Sequence, residues 1–150
     1  MTPEQRRDGF ARLVATAGRQ WRRAVDLRLQ PFGLTEATWL PLLHLARAPD
    51  PMRQKDLAAS LSLDRSSVVR LLDGLQASGL IERRAEASDR RAKTLVLTPL
   101  GRSTVEQVEA VSRQVRQDTL AGLDEGELET AVKVLQHVCR SLRQSTEDHA

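Results

Sequence analysis

A mainly α-helical chain with one small β-hairpin is the fold class that these 150 residues predict. Three observations predict it. Aromatic residues make up only 3% and tyrosine is absent, so the core must be rich in Leu, Val and Ala, which suits helices better than a sandwich. Apolar residues recur at helical spacing over most of the length. Only two short runs, "LIERR" (80–84) and "KTLVLT" (93–98), read as strands, and a basic tip joins them.

The elements follow in order. Residues 4–30 lack proline and place Phe10, Val14, Ala17, Trp21, Ala24 and Val25 at helical spacing. Pro31 and Gly33 end that helix. A second helix opens at "LTEATW", with Thr35 as N-cap and Leu34 and Trp39 as a hydrophobic staple. It is expected to run to Arg47. Pro41 lies inside it, where the missing N–H and ring clash cost about 3 kcal/mol. A kink, or a ligand or packing reason for that proline, is therefore expected. "APDP" (48–51) is a turn.

Residues 53–61 form a short amphipathic helix, 62–64 a turn, and 65–78 a further helix capped by Asp64. Gly79 takes the position after that helix, with Leu80 placed to touch Leu75. After the hairpin, Thr98 caps a helix over about 99–120 with Pro99 in its first position. Val105, Val108, Val111 and Val115 are its stripe. Residues 121–127 break it, and a final helix carries Leu128, Val132, Leu135, Val138 or Cys139, and Leu142. Long amphipathic helices at both ends suggest a dimer built by packing them together.

Composition narrows the function. No apolar run approaches the roughly 18 residues of a membrane helix, and no signal peptide is visible. A single cysteine excludes an intramolecular disulfide framework. A cytoplasmic protein with no membrane partner is expected. A catalytic role is not expected: there is no Gly-rich phosphate loop, no nucleophile with a convincing base, and no metal-ligand spacing. No cofactor is expected.

The net charge of +3 is concentrated. Residues 53–93 hold nine basic and six acidic side chains, whereas the rest of the chain holds 14 of each. That asymmetry suits one segment meeting a polyanion. The order in the segment is helix, tight turn, helix, hairpin, that of a winged helix-turn-helix. In its second helix Val68, Leu71, Leu72 and Leu75 define a buried face. The opposite face presents Arg65, Ser66, Val69, Arg70 and Asp73, with Ser67 near its edge. Arginine can bind guanine bidentately, serine can reach base or phosphate, and an exposed valine can pack on a thymine methyl. The plainer alternative is an ordinary solvated helix face.

Three stretches carry a family resemblance: "RLQPFGLTEATW" (28–39), "LDRSSVVRLLDGLQASGLIERR" (63–84) and "SDRRAKTLVLTPLG" (88–101). The chain resembles the MarR family of bacterial transcriptional regulators, closest to its SlyA-like members. The wing pattern D-x-R-x5-LT-x2-G is matched by Asp89, Arg91, Leu97, Thr98 and Gly101. With the flanking helices the resemblance covers nearly the whole chain.

It implies a homodimer on a pseudo-palindromic operator in double-stranded DNA. Residues 1–34 and 99–150 would be dimerisation helices and 35–98 the winged domain, in a single intertwined unit. The helix 65–78 would enter the major groove, with Gln54 and Lys55 of the preceding helix beside it. The wing would reach the adjacent minor groove with Arg91 or Arg90 at its tip and Lys93 close by, and Asp89 would brace a wing arginine. An A·T-rich minor groove concentrates negative potential and attracts such an arginine.

The resemblance also implies a small anionic aromatic or phenolic carboxylate bound between the dimer helices and the winged domain. The matching positions are Arg19, Arg22 and Trp39. His44 lies one position beyond where some relatives place a histidine, which Leu43 occupies here. A staple tryptophan, surface arginines and a packed histidine are the plainer readings. Peroxide-sensing relatives use a first-helix cysteine with tyrosines, which this chain lacks. Cys139 is expected as a buried interface thiol. A sequence-tolerant architectural DNA-binding protein without a ligand, and a helical protein-interaction module, are the competing classes.

Overall fold

In the computed structural model, which describes residues 1–89 and 91–150, the first helix, α1, covers Pro3–Leu29. Thr2 starts it. The Thr2 hydroxyl accepts the Gln5 N–H at 3.1 Å, and the Gln5 side chain accepts the Thr2 N–H at 2.7 Å. This reciprocal cap satisfies two donors that a bare helix start leaves open. A 3-10 turn at Gln30–Phe32 ends the helix, with Gly33 left-handed at φ 72°.

The second helix, α2, covers Glu36–Arg47. Thr35 holds the N-cap position, but its hydroxyl makes no capping bond and lies 3.5 Å from the Thr38 hydroxyl instead. The Thr35 carbonyl takes the Thr38 and Trp39 N–H groups, each at 2.9 Å. The helix is continuous through Pro41, whose ring is fully buried, in keeping with a packing reason for a proline there.

The helix pair is α3, Gln54–Leu61, and α4, Arg65–Ala77. Asp64 caps α4 by accepting the Ser67 N–H at 2.7 Å. The helix then stops in a Schellman ending. The Gly79 N–H reaches the Gln76 carbonyl and the Leu80 N–H the Leu75 carbonyl, both at 3.0 Å. Gly79 sits at φ 74°, where a Cβ would be strained.

Two antiparallel strands follow, β1 at Ile81–Ala85 and β2 at Lys93–Leu97, in register from Ile81 opposite Leu97 to Ala85 opposite Lys93. β1 is shifted one residue from the expected 80–84, and β2 starts at the expected Lys93 but ends one residue earlier, at Leu97. Leu80 spends its N–H on the helix ending and its carbonyl on the Thr98 N–H at 3.1 Å. Thr98 in turn serves as a cap: its hydroxyl accepts the Gly101 N–H at 3.0 Å and donates to the Gly79 carbonyl. A fifth helix, α5, covers Pro99–Leu120.

Residues 1–115 pack as one compact unit and 116–150 as a second. The first unit holds two apolar clusters. One joins Leu42, Leu57, Val68, Leu72, Leu75, Leu80, Ile81, Leu95 and Val105, and so unites α2, α3, α4, the hairpin and the start of α5. The other joins Val25 and Leu29 of α1, Trp39 and Leu43 of α2, and Val108 and Val115 of α5. Each fully buried Leu or Val contributes about 1.5–3 kcal/mol. Truncating Leu72 to Ala at the centre of the first cluster costs about 2–5 kcal/mol. Helix α2 thus feeds both clusters, with Leu42 on one side and Trp39 and Leu43 on the other. A bidentate ion pair also ties it to α5, with Arg47 Nε and Nη2 at 2.9 and 3.0 Å from the Glu109 carboxylate.

In the second unit the last helix, α6, covers Glu125–Asp148. Asp124 and Glu127 form its capping box, at 2.8 and 3.0 Å. The apolar stripe of α6 is present but uncovered: among the described residues none of this helix is buried, and Leu142 is 62% exposed. Cys139 is exposed too in the single chain, so its expected burial in an interface rests on a second copy. The N-terminal half of α1 behaves alike, with Phe10, Leu13 and Val14 exposed and burial reached only at Val25 and Leu29. No helix among the described residues is long and apolar enough to cross a membrane.

Candidate nucleic-acid interface

Helix α4 turns Val68, Leu72 and Leu75 inward, with Leu71 half-buried beside them. The 3.6-residue period then leaves Arg65, Ser66 and Arg70 exposed and Val69 partly exposed on the other side. These four residues line one shallow concavity of about 490 Å³. Ser67 is less free than the sequence suggests. Its N–H and its hydroxyl, the latter at 3.1 Å, both bond to the Asp64 carboxylate. Those bonds, the N–H one first, hold the Asp64 carboxyl below its ordinary range, so it stays an anionic cap.

A larger concavity, about 710 Å³, lies between α3, the start of α4 and the wing. Gln54, Lys55, Arg65, Asp89, Arg91 and Lys93 are among its lining residues. The helix pair and the hairpin therefore present one surface. At the wing tip the Asp89 carboxylate accepts the Arg91 N–H at 3.0 Å, and the Ala92 N–H reaches the Asp89 carbonyl at 3.1 Å. Asp89 thus braces the backbone of a wing arginine. Arg90 lies outside the described residues.

The segment 53–93 sorts its charges. Arg53 is bound by Glu86, Arg83 by Asp73 at 2.7 Å, and Arg84 by Glu82 at 3.0 Å. Asp56 accepts the Arg53 N–H at 2.9 Å. With Asp64 and Asp89 already engaged, all six acids of the segment are committed to caps, turns or arginines. Lys55, Arg65, Arg70, Arg91 and Lys93 are exposed and hold no ion pair among the described residues. Sequence counting could not separate the two groups of cations, because Arg53 and Glu86 stand 33 residues apart. Arg83 is the unusual member: its Nη2 reaches Asp73 and, at 3.4 Å, the Val69 carbonyl, while its Nε is buried without a partner among the described residues.

The other predicted residues are only partly brought together. Trp39 is 2% exposed, and its indole N–H donates to Asp26 Oδ1 at 3.1 Å. Arg22 Nε lies 3.4 Å from Glu36 Oε1, at the start of α2. Arg19 is exposed, with the Thr16 hydroxyl 3.4 Å away. His44 is on another side of α2, its Nδ1 3.1 Å from the Ser60 hydroxyl of α3. It does not join the arginines, since five residues along a helix turn a side chain well away from Trp39. Asp26 and Glu36, which hold Trp39 and Arg22, are the residues that sequence reading passed over.

A sequence model of the MarR family matches residues 32–92, the span from the α1–α2 turn through the wing tip. The crystal structure of the transcriptional regulator PA3341 is 43% identical to this chain. It covers 90% of this chain and 98% of its own, with a TM-score of 0.83. The chain belongs to the MarR family. Two further members bracket what such chains do. MepR from S. aureus, solved as a DNA complex, is 27% identical over 89% of this MarR-family chain and 97% of its own, at TM-score 0.74. CouR from Rhodococcus jostii RHA1, solved bound to p-coumaroyl-CoA, is 27% identical over 87% and 92%, at TM-score 0.75. The fold likeness extends to SlyA, at TM-score 0.81 and 20% identity. This chain is thus a winged-helix transcriptional regulator of the MarR family.

Proposed function

We propose that this MarR-family regulator binds a pseudo-palindromic operator as a homodimer working in the cytoplasm. In this reading α4 lies in the major groove. Arg65 and Arg70 contact base edges, and Ser66 and Val69 fill the space between them. The wing enters the adjacent minor groove through Arg91 or Arg90, while Gln54, Lys55 and Lys93 meet phosphates. Residues 1–34 and 99–150 supply the dimer interface, where the uncovered faces of α1 and α6 find a partner. Two-fold symmetry sets the half-sites roughly 34–36 Å apart.

One observation carries this reading: five cations without an ion pair among the described residues share the surface of α3, α4 and the wing, while every acid of the segment is tied down. DNA selected from a random-sequence pool by the purified chain tests it. An inverted repeat, bound about 10³-fold or more tighter than random duplex, is the expected result. Equal affinity for both would favour a sequence-tolerant architectural role.

A small anionic aromatic ligand that modulates DNA binding is the second part of the reading. It is supported by the corner where Arg22 meets α2 beside the buried Trp39, with Arg19 one turn earlier, and by the coumaroyl thioester bound to CouR. Arginine recognises such carboxylates bidentately. Calorimetry with a panel of aromatic acids, on wild type and Arg22→Ala, checks it. Heat that is the same in both variants, or absent from both, would remove Arg22 from the role.

A further inference from the structure

Glu86 stands where the wing tip leaves the sheet, immediately after β1. Its main chain closes the tip: the Glu86 N–H donates to the Ala92 carbonyl at 3.0 Å. Its side chain reaches elsewhere. Both carboxylate oxygens accept from Arg53, from Nε at 2.9 Å and from Nη2 at 2.7 Å. Arg53 is the N-cap residue of α3 and bridges Thr94 of β2, and the Leu95 N–H reaches the Met52 carbonyl at 2.8 Å. The Glu86 side chain is 19% exposed and that of Arg53 42%, so the carboxylate is the sheltered half of a pair that stands at the surface. One residue therefore joins the tip to the helix pair by a planar, two-bond contact, which fixes angle as well as distance.

We propose that Glu86 is a positioning residue for minor-groove reading: through Arg53 it sets where the wing tip stands relative to α3 and α4. The proposal rests on the DNA-binding reading above. Arg53 lines the large concavity but spends its guanidinium on Glu86, so its part is to hold the tip, not to hold phosphate. The hairpin itself holds the tip through the ends of two five-residue strands and the Glu86–Ala92 backbone bond. With the pair broken, the tip must be ordered at the moment of binding, which lowers affinity without touching α4. Loss should fall on the flanking base pairs that the wing reads and spare the central ones.

Anisotropy titrations test this on the selected duplex and on two variants of it. One exchanges A·T for G·C at the flanks, the other exchanges base pairs under α4. Glu86→Gln should reduce flank discrimination about three- to tenfold, keep central discrimination, and keep the melting temperature within a few degrees. The exchanged pair R53E/E86R should recover part of the loss. Retained flank discrimination in Glu86→Gln, alongside its loss in Arg91→Ala, would overturn the positioning role alone. Retained discrimination in the double variant R90A/R91A would overturn the wing reading and the proposal with it. Equal loss at flank and centre with a lowered melting temperature would make Glu86 merely structural, and would overturn it as well.

Discussion

Gly101 lies so close to the Leu80 carbonyl that a Cβ on it would stand 2.1 Å from that oxygen. The first turn of α5 therefore packs backbone against backbone on the residue that ends α4 and precedes β1. Glycine is the residue that allows it. Gly101→Ala forces those segments apart and should cost about 1–3 kcal/mol or more. A thermal melt should fall by several degrees. Gly74 is the internal contrast. It is exposed within α4 with nothing within 4 Å of an added Cβ, so Gly74→Ala should raise stability by roughly 0.5–1 kcal/mol. Equal effects of the two substitutions would contradict this account.

Asp26 and Trp39 give a second test. The indole N–H is buried and its acceptor is the Asp26 carboxylate. Asp26→Ala leaves that donor unsatisfied and should cost about 1–3 kcal/mol. Asp26→Asn keeps an acceptor oxygen and should cost less. A chemical-denaturation series reads both, and a harmless alanine would show that the bond contributes nothing.

Arg91 and the α4 arginines should differ in kind. Arg91→Ala should weaken operator binding strongly, leave the dimer intact, and flatten the salt slope by about one unit if a phosphate contact goes with it. Arg65→Ala or Arg70→Ala should instead relax preference at particular base pairs by about 1–3 kcal/mol each. Titrations at two salt concentrations on a set of single-base variants separate these outcomes. A loss uniform over all sequences would reassign Arg65 and Arg70 to phosphates.

His44 sets a pH dependence of definite sign. Burial, and then the charge of Arg47, lowers its imidazole from the ordinary value of 6.5. The folded chain therefore takes up this proton less readily than the unfolded chain. The contribution is neutral above about 6.5, and stability is lost as pH falls below it until the folded imidazole also protonates. Melting curves between pH 7 and pH 5 should fall more steeply for wild type than for His44→Gln. Parallel slopes would clear His44 of the effect.

Periodicity and punctuation made the elements legible. The caps at Asp64 and Thr98, the glycine ending at Gly79 and the valine stripe of α5 are all short-range signals, and the elements from α1 to α5 lie within about one residue of their expected bounds; α6 starts at Glu125, inside the expected break at 121–127, because Asp124 and Glu127 form a capping box there. Thr35 shows the limit of such signals: it holds the cap position, but its hydroxyl has a better neighbour in Thr38. Long-range pairing was not legible. Nothing local links Arg53 to Glu86 or Trp39 to Asp26, so Arg53 was indistinguishable from the free cations around it. The exposure of α6 could not be read either, since an apolar stripe predicts that a face is to be covered and not what covers it.

The sheet has one more consequence. Strand β2 is flanked by β1 on one side and by the Arg53 bridge on the other, so the outer side of β1 is the open flank of the hairpin among the described residues. An open strand flank is a template on which a second chain can add a strand and begin to aggregate. Here it is only five residues long, and three of them are Glu82, Arg83 and Arg84. A hairpin that must project far enough to be offered to another molecule is thereby kept from sticking to its own copies when the protein is crowded.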